Sequence, residues 1–252
     1  MALLWRAERG GHRYEVRAAG RTRRLYTDGV LHTEHNPRRV LTHAVWDLLV
    51  LPAFALDPPP ARVLVLGVGG GAAVRLLRHY FPHAHVTAVE RDPVHLSVAR
   101  RFFGLRASRR LALVEADARA WVRDHAGPPF DLVIDDLFGG RGEPERAVAL
   151  DPGWMGALAG LVGEEGALVV NCASRAELGR CAWRTRPGLR RRLPGALALS
   201  TPREHNAVGA FLRRPVSPAE LWRALEGVAG LCPRSTAARR RYRIVRLAPD
   251  AA

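Results

Sequence analysis

The stretch VLVLGVGGGAAVRLLRHYFPHAHVTAVERDP, residues 63–93, decides the fold. Residues 63–66 are apolar at every position, as a strand covered on both faces requires. Gly67, Gly69 and Gly71 follow at once, and 72–80 reads as a helix. A second apolar run, 86–89, ends in Glu90. Strand, glycine turn, helix and strand make the opening unit of a doubly wound α/β sheet. Gly67-Val68-Gly69-Gly70-Gly71-Ala72 matches GxGxxG/A in the strand-to-helix setting that the motif needs to hold a ligand at a helix N-terminus. Glu90 stands 23 residues after Gly67, where a carboxylate closing the second strand receives two ribose hydroxyls. Asp92, two residues on, suits the first turn of the next helix better.

Working outward, short apolar runs recur at 111–114, 132–134 and 167–170, with helical stretches at 93–103, 119–124 and 154–162 between them. That alternation predicts a parallel sheet with helices on both sides. Upstream, 12–32 reads as short strands broken at Ala19-Gly20 and Asp28-Gly29, a small β-hairpin unit. Over 38–51 the spacing of Val40, Leu41, Ala44, Val45, Leu48 and Leu49 predicts a helix, and Pro58-Pro59-Pro60 is a stiff break before the first buried strand. Ser217-Pro218-Ala219-Glu220 is a capping box that opens a helix to about residue 228. The chain therefore divides into 1–57, a small β unit with a helix, and 58–252, the α/β domain.

Two more acids close strands: Asp117 after 111–116 and Asp136 after 130–135. Ligands of open α/β sheets bind at the carboxyl ends of the strands, so Gly67, Glu90, Asp117 and Asp136 form one constellation. Taken singly, Asp117 and Asp136 also suit helix caps.

Composition narrows the chemistry. The 252 residues carry 39 basic side chains against 24 acidic, a net charge of +15, and every one of the 39 is arginine. Without lysine there is no Walker A loop, pyridoxal enzyme or Schiff-base catalyst. All-arginine charge reflects either GC-rich codon usage or nucleic-acid binding. No basic stripe interleaved with aromatics favours the second, and Arg190-Arg191-Arg192 and Arg239-Arg240-Arg241 are the places where such a contact would lie. Three cysteines without a CxxC pair indicate neither a disulfide framework nor a zinc knuckle, and Cys172 reads as core. His79, His83 and His85 read as a solvated turn interrupted by Pro82, so no metal is expected. No apolar run approaches the roughly 18 residues of a membrane span. Those features predict a soluble, cytoplasmic protein that does not engage membranes.

The 63–93 stretch, with RLALVEADARAWV (110–122) and FDLVIDDLF (130–138), resembles the spermidine synthase superfamily of polyamine aminopropyltransferases. RRLYTDGVLHTEHNPRRVLTHAVWDLL (23–49) is similar to the small β domain and gating helix that precede the Rossmann-like domain there. The resemblance implies the class I S-adenosylmethionine-methyltransferase fold, a homodimer, and S-adenosylmethionine or its decarboxylated form as cofactor. It places Gly67, Gly69 and Gly71 along the methionine side, Glu90 on the ribose, Asp117 on the adenine amino group and Asp136 at the reactive-centre acid. The departures are as informative. Gly70 stands where aminopropyltransferases carry the Asp of GGGDGG, and Gly139 stands for the second Asp of DSSDP. Pro37 and Arg39 replace the Tyr and Glu of YxExxxH, leaving only His43. Residues 202–206 stand roughly where that family has PTYPSG. A buried polyamine needs carboxylates around it, so these losses speak against spermidine synthesis itself.

What remains is in-line displacement at an activated sulfonium, with alignment supplied by the fold and Asp136 taking a proton from the acceptor. His43 is a candidate second polar group. Asp135 points away by strand alternation. Phe138, Trp121 and Trp154 form either an aromatic wall for the acceptor or core, and the glycine-rich segment 139–152 suits a mobile loop. The sequence thus predicts a transferase that alkylates, most simply methylates, a small-molecule acceptor. The alternatives are aminopropyl transfer in polyamine biosynthesis, a catalytically inactive nucleotide-binding partner protein, and an NAD-dependent oxidoreductase, which leaves Asp117 and the reactive-centre match unexplained.

Overall fold

The computed structural model describes residues 1–232 and 241–250; Arg239 and Arg240 of the second arginine cluster lie outside them. The chain opens with β1 (Ala2–Arg9), β2 (His12–Ala19), β3 (Thr22–Thr27) and β4 (Val30–His35), one antiparallel sheet in sequence order. The expected hairpin unit of 12–32 is therefore larger by a strand. β1 carries no alternating apolar face, with Leu3 and Leu4 about half exposed, so nothing in its pattern announces it. The β3–β4 turn is Asp28-Gly29, both at positive φ (49° and 87°), the backbone that a two-residue hairpin turn demands.

The helix predicted over 38–51 is cut to α1 (Val45–Val50), continued by a 3-10 turn at Leu51–Ala55. The reason is Asp47. Its buried carboxylate accepts the N–H groups of Thr42 (2.9 Å) and His43 (2.6 Å) and the Thr42 hydroxyl (2.8 Å), which bends the chain back before the helix. His43 takes up that bend with φ of 60°, outside helical geometry.

Beyond it run β5 (Arg62–Leu66), α2 (Ala72–Tyr80), β6 (His85–Glu90), α3 (Pro93–Phe103), β7 (Leu111–Glu115), α4 (Ala118–Asp124) and β8 (Phe130–Asp135). Then come the short β9 (Phe138–Gly139) and β10 (Glu145–Arg146), α5 (Pro152–Leu161), β11 (Val162–Cys172), α6 (Arg175–Gly179), α7 (Ala182–Thr185), α8 (Pro187–Arg192), β12 (Gly195–Ser200), β13 (Ala207–Leu212), α9 (Pro218–Ala224) and β14 (Arg243–Arg246). The large sheet has the order β14-β12-β13-β11-β8-β5-β6-β7. Its β11-β8-β5-β6-β7 block is parallel, while β13, β12 and β14 are antiparallel additions, so the sheet is mixed rather than wholly parallel. The capping box at Ser217 opens α9, which ends at Ala224, a turn short of the expected 228.

Both faces of the sheet are covered. Val63 and Val65 pack with Leu48, Leu49, Leu76 and Leu77 on one side, while Leu64 and Leu66 pack with Val122, Met155 and Leu158 on the other. The small sheet rests on α3 through Val16, Leu25, Val98 and Phe103. Strand order reverses between β5 and β8, and their carboxyl ends open a crevice there. Asp135 at the end of β8 is buried and accepts from the Arg146 guanidinium (2.7 Å) and the Trp154 indole (2.8 Å), while Arg146 also donates to the Asn171 carbonyl. Removing the carboxylate leaves a buried arginine and an indole N–H without their acceptor. Asp135→Ala is expected to cost about 3–5 kcal/mol, read as a lowered urea midpoint with unchanged slope.

Candidate active site

The crevice is a cavity of about 470 Å³, within the usual range for small-molecule sites. Gly67, Gly69, Glu90, Asp117 and Asp136 all line it, so five residues singled out in the sequence converge. Gly71 does not. It caps α2 at φ 84°, where a Cβ would meet Leu105 Cδ2 at 2.6 Å. The other two glycines are also required by protein packing. At Gly67 a Cβ would strike the Asp136 carbonyl, and at Gly69 it would lie 2.8 Å from the His32 carbonyl oxygen.

Glu90 is buried and organises the loop. Its Oε2 accepts the N–H groups of Val68 (3.0 Å) and Gly69 (2.9 Å), and its Oε1 accepts that of Asp92 (3.0 Å). His95 Nδ1 lies 3.7 Å away. Burial alone would raise this carboxyl, but His95 and the N–H groups of Asp92 and Gly69 outweigh it and hold it down at about 2. His95 in turn is opposed by burial yet raised by Glu90, and its Nε2 lies 2.8 Å from Thr27 Oγ1 on β3. Asp92 caps α3 through Val94 N–H (2.8 Å) and accepts the Tyr14 hydroxyl from β2 (2.8 Å). Asp117 caps α4 through Oδ1, accepting from Arg119 and Ala120, and also faces the cavity, so the two readings of this acid hold together.

Asp136 closes the floor. Its N–H donates to Leu66 of β5 (2.8 Å), and its Oδ1 accepts the Asn171 amide (2.7 Å), whose own oxygen accepts the Asn206 amide (3.0 Å). Burial pushes the Asp136 carboxyl up to about 7; the Asn171 amide opposes the shift and Asp135 adds to it. Asp135 itself turns away into its arginine and tryptophan contacts, as strand alternation requires.

His43 stays outside the cavity lining among the described residues. It sits 3.5 Å from the Tyr242 hydroxyl and 4.0 Å from Asp47, held below its ordinary pKa by burial and by Arg241. Phe138 lines the cavity, whereas Trp154 is core and Trp121 stacks on His125. Cys172 is buried core, its thiol pushed up by burial. Gly139, Gly140, Gly142 and Pro144 of the segment after Phe138 line the cavity, and Gly142 N–H donates to the Asp28 carbonyl (2.9 Å).

Trp46 and Asn171, which the sequence does not single out, also line the cavity, as do Glu204 and Asn206 of the 202–206 stretch. Glu204 accepts Val45 N–H (2.6 Å) at the start of α1, and burial raises its carboxyl. Asn171 lies near the carboxyl end of β11, so the strand-end rule that points to Asp136 could have found it too.

No protein-family model matches the chain. Its backbone superposes on a probable spermidine synthase from Corynebacterium glutamicum ATCC 13032 with TM-score 0.71 at 18% identity, covering 91% of this chain and 88% of that one. The fold is that of a spermidine synthase. In sequence the chain is 29% identical over 132 residues to a polyamine aminopropyltransferase of Vibrio vulnificus (strain CMCP6), 52% of this chain and 44% of that protein. It is 34% identical over 93 residues to the eEF1A lysine and N-terminal methyltransferase of Mus musculus, 36% of this chain and 13% of that protein. The matched part thus spans less than half of either relative's length. This spermidine-synthase-like chain carries the class I methyltransferase fold with its small antiparallel sheet in front.

The raised Asp136 has a measurable consequence. Between about pH 4, where the unfolded carboxyl ionises, and about pH 7, where the folded one does, the native state binds more protons. Stability therefore falls as pH rises through that window. Asp136→Asn is expected to remove this contribution to the slope and to stabilise the protein at pH 8 by an amount on the order of 4 kcal/mol. Denaturant unfolding of both proteins at pH 5 and pH 8 checks this; an equal pH dependence in the two would contradict it.

Proposed function

We propose that the chain is an S-adenosylmethionine-dependent transferase that alkylates, most simply methylates, a small nucleophile, with Asp136 as the base. Residues 1–57 cover the site and 58–252 bind the cofactor, in a homodimer. The observation that carries the reading is Asp136, held on the cavity floor by Asn171 and poised near neutrality, where a general base works best.

The cavity fits the cofactor. Glu90 offers a fixed anion of the kind that receives ribose hydroxyls, Asp117 an exposed acid at the next strand end, and Val68, Val89, Ala116 and Val148 an apolar surface for a base ring. S-adenosylmethionine supplies a sulfonium-activated alkyl group. The protein aligns and dries the site with the small sheet and the 139–144 segment, and Asp136 accepts the proton from the acceptor's nitrogen or oxygen. The Asn206–Asn171 chain keeps the Asp136 carboxylate oriented.

Donor choice follows from Gly70. The resemblance puts a carboxylate there in aminopropyltransferases, to receive the aminopropyl ammonium. In this chain Thr33 occupies that space: it accepts Gly70 N–H (2.7 Å), and a Cβ on Gly70 would lie 2.8 Å from Thr33 Cγ2. Methyl transfer is therefore the leading form. Glu204 favours the second reading, aminopropyl transfer from the decarboxylated donor, because it returns one carboxylate to the acceptor side beside Trp46.

Calorimetric titration separates the two. S-adenosylmethionine is expected to bind at least tenfold more tightly than its decarboxylated form; the reverse order would establish the aminopropyl reading, and binding of neither would remove both. Asp136→Asn is expected to keep the cofactor affinity within a few-fold while lowering kcat by about 10²–10⁴.

A further inference from the structure

Behind the glycine loop lies another cleft, about 320 Å³, that among the described residues shares no lining residue with the cofactor cavity. The end of β4, residues 36–42 and α2 enclose it. Arg38, Arg39, Arg75, His35 and His79 face it against one carboxylate, Glu34. That carboxylate is already engaged, by Arg24 at 2.6 Å and by Arg39 at 3.8 Å.

Arg75 is the telling group. Its Nη1 donates to the Gly70 carbonyl (2.7 Å) and its guanidinium lies 5.7 Å from the centre of the Phe103 ring, but its buried Nη2 has no partner among the described residues. Among the described residues no carboxylate lies within ion-pair distance of it. Burial lowers it to about 10, so it is charged at neutral pH. His35 is held down at about 4 by burial and by Arg75 and Arg23, and is therefore neutral there. A cation held largely out of water with an unused donor and no countercharge among the described residues is unfavourable unless a ligand completes it. Three guanidinium groups thus line one cleft whose lining carboxylate is already paired.

We propose that this cleft binds a small oxyanion of the phosphate type, with Arg75, Arg38 and Arg39 as its cationic ligands. Guanidinium forks match tetrahedral oxyanions in shape as well as charge. The neutral His35 ring has one N–H to add. The phosphate is either the free ion or the head of a phosphorylated small molecule entering from the exposed Arg38–Arg39 side. Through Arg75 and the Gly70 carbonyl it sits directly behind the cofactor loop.

The full chain, in a zwitterionic buffer at constant ionic strength, is titrated calorimetrically with inorganic phosphate and, separately, with glycerol phosphate. One saturable site is expected, weakened at least tenfold in Arg38→Ala/Arg39→Ala, whose side chains are exposed and leave the core intact. Arg75→Met is expected to abolish it; should that variant fail to fold, the double variant decides. Binding of both titrants identifies the free ion as sufficient, and binding of the ester alone identifies a phosphorylated molecule; either supports the site. Arg191→Ala/Arg192→Ala, which thins an exposed arginine cluster elsewhere, is expected to bind as the parent does. Loss of affinity in that control equal to the loss in Arg38→Ala/Arg39→Ala would overturn the proposal, as would the absence of saturable binding.

Discussion

The carboxylate of Glu90 is a fixed anion at the point where the glycine loop, the β6–α3 junction and the small sheet meet. Three backbone N–H groups and one imidazole converge on it. Charge-assisted hydrogen bonds of this kind are stronger than neutral ones and more exacting in their geometry. The loop after β5 is consequently shaped by the protein itself. His95 carries the same constraint outward to Thr27 on β3, and Asp92 carries it to Tyr14 on β2. Without that anion, the loop would lose its shape and the small sheet two of its polar attachments at once.

Two acids of one cavity are driven in opposite directions, and that difference divides the labour. Glu90, surrounded by donors, stays ionised and suits binding of hydroxyl groups. Asp136 has a single amide donor and another carboxylate behind it, so burial prevails and its proton is loosely held near neutrality. That separation is what supports the proposed roles of Glu90 as anchor and Asp136 as base.

The strand–loop–helix core is legible in the sequence because local and tertiary demands coincide there. Residues 72–80 and 93–103 form helices with the anticipated ends, and the strand-end acids converge on one cavity. Elsewhere long-range interactions prevail. Residues 38–44 carry helical spacing, but the Asp47 carboxylate captures their N–H groups, a competition that periodicity does not register. Alignment with a motif accordingly puts His43 near the chemistry, yet its ring faces Tyr242 and Asp47. β12 and β13 escape the sequence pattern for a different reason: Gly195–Ser200 and Ala207–Leu212 are apolar almost throughout, so although Pro194-Gly195 and Pro202 flank them as turn signals, no polar–apolar alternation marks them as strands. Glu204, on the loop between them, falls in the 202–206 stretch that the resemblance singles out, but without a role of its own there.

The close approach of Gly67 to the Asp136 carbonyl makes the glycine loop and the end of β8 a single mechanical part. Any side chain at 67 would push against the peptide that carries Asp136, although residue 67 has no proton to give or take. A genetic screen would therefore score Gly67 together with Asp136. An evolving lineage, likewise, could not reshape the loop without moving Asp136. Diversification of this scaffold is channelled to Trp46 and Glu204, which line the cavity with no hydrogen bond to the glycine loop among the described residues, whereas Asn206 is tied through Asn171 to Asp136.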